Sequence, residues 1–223
     1  LLRWNHPREG LCLPGTFVPI AESTGLISEI GEWVIGEVAA TLGGWHREGF
    51  NRRVAFNVSP RQLDRVDFFA RLRQTLAENE VPLSLVELEF TETAAMRASD
   101  TVVAEIAALR ADGVRIAIDD FGTGYSNFSR LRSLPLDRVK LDPSLIADIE
   151  ESDKARVIVQ AVIHLIKGVD CEIVAEAVET SAQADILRAM GCSTIQGYCF
   201  AQPMFEDEYL AWTRDAGSSR IVA

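Results

Sequence analysis

Polar side chains capable of chemistry recur at one kind of place in this chain, directly after a short apolar run. Val54-Ala55-Phe56 runs into Asn57, Val86-Glu87-Leu88 into Glu89, and Val114 to Ile118 into Asp119-Asp120. Val139 is followed by Lys140, Ile173-Val174-Ala175 by Glu176, Thr194-Ile195 by Gln196, and Leu1-Leu2 by Arg3. Asn57, Glu89, Asp119, Asp120 and Glu176 are oxygen donors. Brought together and buried, their carboxylates would repel one another and drift toward neutral unless a cation paired them. Hard oxygen ligands without thiolate or imidazole select Mg²⁺ or Mn²⁺. The adjacent pair Asp119-Asp120 could divide between two ions, an arrangement suited to phosphoryl chemistry. Lys140, on the strand after that pair, could hold or deprotonate an attacking water among the carboxylates.

Each residue also has a plainer reading. Asp and Asn are common helix N-caps at strand-to-helix turns, and Lys140 beside Asp142 could be an ordinary ion pair. Caps do not account for Glu89 and Glu176, which lie within or close strand-like runs. The histidines His6, His46 and His164 have no ligand spacing, which argues against a histidine-based zinc site. Cys12, Cys171, Cys192 and Cys199 form no C-x-x-C pair and read as reduced thiols, in keeping with a cytoplasmic domain. With 33 acidic against 22 basic residues and a net charge of -11, a nucleic acid polymer is a poor partner. A small phosphorylated ligand remains open if bound metal supplies the positive charge. No run of about twenty apolar residues is present, so no membrane span is expected.

Groups at the ends of different strands converge only if the strands are parallel and share a rim. Seven apolar runs separated by helical segments fit that requirement. They predict an α/β fold, a (β/α)8 TIM-like barrel that has lost a piece, since such barrels take roughly 250 residues. An open doubly wound sheet is the alternative, but it usually opens with a glycine-rich phosphate loop, and none is found. Strands are expected over 54–58, 85–91, 115–119, 139–141, 172–176 and 194–196, with Glu87 and Glu89 on one face. Residues 1–4 read as a strand end and 5–15 as a loop. Residues 16–48 read as helical, broken near Gly25 and Gly31, with Gly49 closing the helix. Ser59-Pro60 should open one helix carrying Leu63, Phe68, Phe69, Leu72 and Leu76. Further helices are expected over 101–112, up to about 134, and over 152–167, 181–190 and 207–212.

Asp119-Asp120-Phe121-Gly122-Thr123-Gly124-Tyr125-Ser126 resembles the signature loop of EAL-domain phosphodiesterases, which hydrolyse cyclic di-GMP. Leu1-Leu2-Arg3-Trp4 is similar to the residues closing the namesake Glu-x-Leu motif, whose glutamate would stand two places before Leu1. Asn57-Val58-Ser59, Glu89-Phe90-Thr91-Glu92, Val139-Lys140-Leu141-Asp142, Ala175-Glu176-Ala177-Val178-Glu179 and Gln196-Gly197-Tyr198 match further motifs in order. Ala177 stands where glycine is commoner in the family.

The resemblance implies a barrel of the EAL type whose first strand lies upstream of Leu1, an EAL domain over residues 1–215, a tail over 216–223, and an origin in a longer protein. It implies that Asn57, Glu89 and Asp119 hold a first Mg²⁺ or Mn²⁺, with Asp119 bridging to a second ion held by Asp120. Glu176 matches a metal-site glutamate. Lys140 matches the lysine that orients or activates the nucleophilic water. Arg3, Asp142 and Gln196 fall on the substrate side, Arg3 against phosphate and Gln196 against a water at the metal. Glu92 and Glu179 match supporting positions, Glu92 bracing the loop from Phe121 to Ser126. That loop is associated with dimerisation. The implied reaction opens one phosphodiester of cyclic di-GMP to give linear pGpG. A homodimer and flanking sensory or diguanylate cyclase domains are implied partners, and the longer protein could be membrane tethered. The alternatives are a cyclic di-GMP receptor that does not cleave and a metal-dependent barrel enzyme acting on sugar phosphates.

Overall fold

The computed structural model describes residues 2–124 and 128–216. The chain divides into two compact units, Leu1–Ala117 with Asn127–Leu136, and Ile118–Ser126 with Asp137–Ala223.

The first unit opens with β1 (Trp4–His6) and β2 (Gly10–Cys12), an antiparallel pair with Trp4 opposite Cys12. A loop was expected from residue 5 to 15. Instead Gly10, at φ +73°, lets the chain turn tightly enough for the flanking residues to pair. The Trp4 ring meets His6 and Phe17 edge-on. Next come α1 (Pro14–Thr24) and α2 (Ile27–Arg47), separated at Gly25, whose φ of +86° ends the first helix. The second expected break, at Gly31, does not occur. Gly31 is buried inside α2, and a Cβ there would lie 2.1 Å from Nε2 of Gln62, so this glycine serves close packing. The unit continues with β3 (Val54–Asn57), α3 (Pro60–Leu63), α4 (Phe68–Glu78), β4 (Val86–Thr91), α5 (Glu92–Arg97) and α6 (Asp100–Ala111). It takes the first residues of β5 (Arg115–Phe121), and α7 (Phe128–Ser133) follows that strand. β3 and β4 are parallel, with Asn57 opposite Glu89.

The single helix expected from Ser59 onward is two helices. Ser59 and Gln62 form a reciprocal capping box on α3. The chain then turns, and Arg65 pairs with Asp67 through Nε to Oδ1 and Nη2 to Oδ2, both 3.1 Å. Residues two apart do not face each other on a helix, so this pairing accompanies the interruption. α4 buries Phe68, Phe69, Leu72 and Leu76, the three-to-four spacing of a core-facing stripe.

The second unit holds the remainder of β5, then β6 (Arg138–Leu141), α8 (Pro143–Ile146), α9 (Asp153–Lys167), β7 (Glu172–Ala175), α10 (Ser181–Ala189), β8 (Thr194–Ile195) and α11 (Glu206–Ala216). Neighbouring strands run in the order β5, β6, β7, β8, and β6 with β7 and β7 with β8 are parallel. Ile116, Ala117 and Ile118 of β5 are all fully buried, which explains an unbroken apolar run where a one-sided strand would alternate. Ser152 caps α9, which buries Val159, Ile163 and Ile166. α11 extends to Ala216, past the expected end near Trp212, and residues 217–223 of the expected tail lie outside the described residues. Parallel strands alternating with helices give the expected α/β class. Among the described residues no helix is long and apolar enough to cross a membrane.

Candidate active site

Three neighbouring strands carry, at or beside their ends in the second unit, a residue singled out by its type. β5 ends in Asp119, Asp120 and Phe121, β6 carries Lys140, and Glu176 directly follows β7. Lys140 is only 6% exposed. Its Nζ lies 3.0 Å from Oδ1 of Asp119 and 2.8 Å from Oε1 of Glu176. A buried ammonium persists as an ion only when paired in this way. Ligand oxygens of Asp119, Asp120 and Glu176 all lie within 4.8 Å of one another. Three ionised carboxylates around one ammonium leave a local charge of -2, which matches a single divalent cation. The donors are oxygen only, the set that suits a hard ion. This acidic group can therefore hold a metal ion.

Asp120 adopts φ +54°, a left-handed conformation that Asp tolerates better than most residues. Its N–H donates to Oδ1 of Asp119 at 3.1 Å. Burial pushes the Asp120 carboxyl above its ordinary pKa, and the charges of Asp119 and Asp142 push the same way against the opposing pull of Lys140. A cation at this place would relieve that unfavourable charge.

Asp142 serves as a helix cap. Its carboxylate accepts from the Ser144 backbone N–H at 2.8 Å and from the Ser144 hydroxyl, at the start of α8. Its own N–H donates to the Phe121 carbonyl at 3.1 Å, tying β5 to the end of β6. Ser144 was not foreseen, although Asp142-Pro143 carries the same cap-then-proline signal as Ser59-Pro60. The backbone of Gln196 is clamped. Its N–H donates to Ala175 O at 2.8 Å, and its carbonyl accepts from Val178 N at 3.1 Å. Glu179 is exposed, and its N–H donates to Oε1 of Gln183 at 2.9 Å beside the capping box of α10. Phe121 is buried, while Gly122, Thr123 and Gly124 are exposed, with the Thr123 hydroxyl donating to Asp120 O at 2.9 Å. Tyr125 and Ser126 lie outside the described residues.

In the first unit, Nδ2 of Asn57 donates to Oε2 of Glu89 at 3.2 Å across the β3–β4 pair. Glu87, Glu89 and Glu92 are all buried, Glu92 at the first position of α5 behind the Thr91 cap. The alternation of Glu87 with Glu89 on one face was legible in the sequence. Their burial was not, because β4 is buried along nearly its whole length. Arg3 donates from Nη1 to Leu2 O at 3.0 Å, and Leu1 lies outside the described residues.

Ala177, directly after Glu176, stands at φ +50°. A left-handed alanine is disfavoured by about 1–2 kcal/mol, and glycine's extra freedom in the unfolded chain returns about 0.4–1 kcal/mol of that. Ala177→Gly is therefore expected to raise urea-unfolding stability by about 0.5 kcal/mol. A destabilised variant would contradict the left-handed geometry.

The EAL domain family profile matches residues 1–203. A cyclic di-GMP phosphodiesterase of Pseudomonas aeruginosa is 39% identical over 214 residues, covering 96% of this chain and 36% of the relative. The bifunctional diguanylate cyclase/cyclic di-GMP phosphodiesterase MucR of the same organism is 39% identical over 212 residues, covering 95% and 31%. The chain thus spans about a third of the length of these curated relatives. The solved MucR phosphodiesterase in complex with c-di-GMP superposes with a TM-score of 0.88 at 38% identity, over 94% of this chain and 85% of that one. Likeness at that level gives the chain the EAL-type α/β fold expected from its alternating strands and helices.

Proposed function

The chain belongs to the EAL domain family, and from that premise we propose that it hydrolyses cyclic di-GMP to linear pGpG with two divalent cations, Mg²⁺ or Mn²⁺. The observation that carries this reading is Lys140, buried and held between Asp119 and Glu176 beside Asp120. A cyclic di-GMP receptor without activity has no need of a desolvated ammonium inside an acidic group. A water poised to attack phosphorus does.

Asp119, Asp120 and Glu176 would hold metal, and the family resemblance adds Asn57 and Glu89 to the ligands. Bound cations supply Lewis-acid polarisation of the scissile phosphate and a lowered pKa for the attacking water. Lys140 orients that water and meets charge developing on the phosphoryl oxygens, a role for which its buried, pre-paired ammonium is preorganised. Asp142 keeps the end of β6 against Phe121, so Lys140 and Asp119 stay in register. Gln196 holds a water, and Arg3 meets a substrate phosphate. Glu92 and Glu179 support the site, and the loop from Phe121 to Ser126 belongs to a homodimer contact. Residues 1–215 form the EAL domain of a longer cytoplasmic or membrane-tethered protein with signalling domains, as in the bifunctional relative MucR.

The test is conversion of cyclic di-GMP to pGpG by this chain and by a version extended upstream through the namesake glutamate. Turnover should require Mg²⁺ or Mn²⁺ and vanish with EDTA. It should also fall as pH drops, since a proton on Asp120 competes with the cation and the raised pKa brings that competition in above the usual aspartate range. An extended version that binds cyclic di-GMP and never cleaves it would make the domain a receptor instead.

A further inference from the structure

A cleft of about 200 Å³ lies wholly within the first unit, lined by residues of α2, α3 and α4. Ile35, Phe68 and Leu72, all nearly fully buried, give it an apolar lining. Its charged lining is Glu32, Arg65 and Arg71, and Asp67, paired with both arginines, brings the group to neutral while Glu32 is in place.

Gln62 supplies the most telling atom. This side chain is 3% exposed. Its Oε1 accepts from Ser59 N and from Ser59 Oγ, each at 3.1 Å. Only the oxygen can accept from a backbone N–H, so the amide orientation is fixed. Nε2 is left donating to no described residue, and it lies against Gly31 in the α2 wall. Nε2 is not among the fully buried polar atoms left without a partner, so it keeps access to the cleft, and a carboxylate entering there would replace water as its acceptor.

The two arginines already show how they would hold a carboxylate. Oε1 of Glu32 lies 2.8 Å from Nη1 of Arg65, and its Oε2 lies 3.0 Å from Nη2 of Arg71. Asp67 takes other edges of both guanidinium groups, at 3.1 and 3.5 Å. Asp67 thus orients the pair, while Glu32 occupies the bridging position with a half-exposed side chain that can swing away. An apolar cavity of about 150 Å³ holds a benzene ring, so this cleft has room for one ring and a carboxylate.

We propose that the cleft binds a small organic carboxylate with a compact apolar body. The body rests on Ile35, Phe68 and Leu72. The carboxylate displaces Glu32 from Arg65 and Arg71 and shares its oxygens with Nε2 of Gln62. This site is independent of the phosphodiesterase reading.

Benzoate is the probe, titrated into the full chain against uncharged benzyl alcohol and followed through the methyl resonances of Ile35 and Leu72. Saturable shifts are expected for benzoate with a Kd of about 1 mM, the range for so small a ligand. Benzyl alcohol should bind at least about tenfold more weakly, having no charge for the arginines. Glu32→Gln should tighten benzoate by about threefold, since a neutral amide competes less well for the arginines. Gly36 lines the cleft, and a Cβ there meets nothing within 4 Å. Gly36→Leu should therefore fill the cleft and abolish binding while melting no lower than wild type, because leucine favours the helix. Four results would overturn the proposal: no saturation in wild type, equal binding of benzyl alcohol, weaker binding by Glu32→Gln, or unchanged binding by a folded Gly36→Leu.

Discussion

Replacing Asp119 by Asn is expected to lower cyclic di-GMP turnover by at least about a thousand-fold, because metal-ion charge stabilisation is worth several kcal/mol and each 1.4 kcal/mol is tenfold. The substitution keeps the shape and removes one charge. Lys140 then keeps Glu176 as an ion-pair partner, and the local charge falls from -2 to -1. Metal affinity and the position of the ammonium should both suffer. Isothermal titration with Mn²⁺ should show weakened binding in parallel with lost turnover. Thermal stability should change far less than turnover, since the substituted amide still fits the end of β5. Near-wild-type hydrolysis by Asp119→Asn would remove Asp119 from the reaction and with it the two-metal reading.

Whether that prediction could have been made from sequence depends on which residue is asked. Asp119, Lys140 and Glu176 were legible because each ends an apolar run, and parallel pairing turns such endings into neighbours. Lys140 was the harder case, since a single lysine beside an aspartate is usually a surface pair. Only the β5–β6–β7 order places it between two carboxylates. Asp142 falls on the substrate side by resemblance, and its carboxylate has the further task of capping α8 through Ser144. Local signals misled where a residue serves a distant contact. Gly31 reads as a helix break, yet it accommodates the Gln62 amide within an unbroken α2. The cleft beside it needed three helices and the turn at Arg65, and no spacing in the sequence encodes their meeting. The left-handed conformation at Asp120 was hidden because that residue is not a glycine, while at Ala177 the family's commoner glycine was the one hint of it.

Gly197 carries the second large effect, and here the glycine is required by its surroundings. A Cβ at this position would fall 2.2 Å from Val178 O and 2.3 Å from Val178 N. Those atoms are backbone, so no side chain can rotate away to make room. They are also engaged. Val178 N donates to Gln196 O at 3.1 Å, and Val178 O accepts from Cys199 N at 3.0 Å. Gly197→Ala must therefore break the clamp that fixes Gln196, and a loss of about 3 kcal/mol is expected. For a chain of this size that is a fall of about 6–12 °C in Tm. Gly36→Ala is the matched control. Its Cβ enters open space on α2, and the gain in helix propensity should stabilise by about 1 kcal/mol. Turnover should fall in Gly197→Ala even at temperatures where the variant is folded, if Gln196 holds a water at the site as proposed, because its clamped backbone would be displaced. Wild-type stability in Gly197→Ala would show that Val178 and Gly197 do not approach so closely, and Gln196 would lose its assigned place at the site.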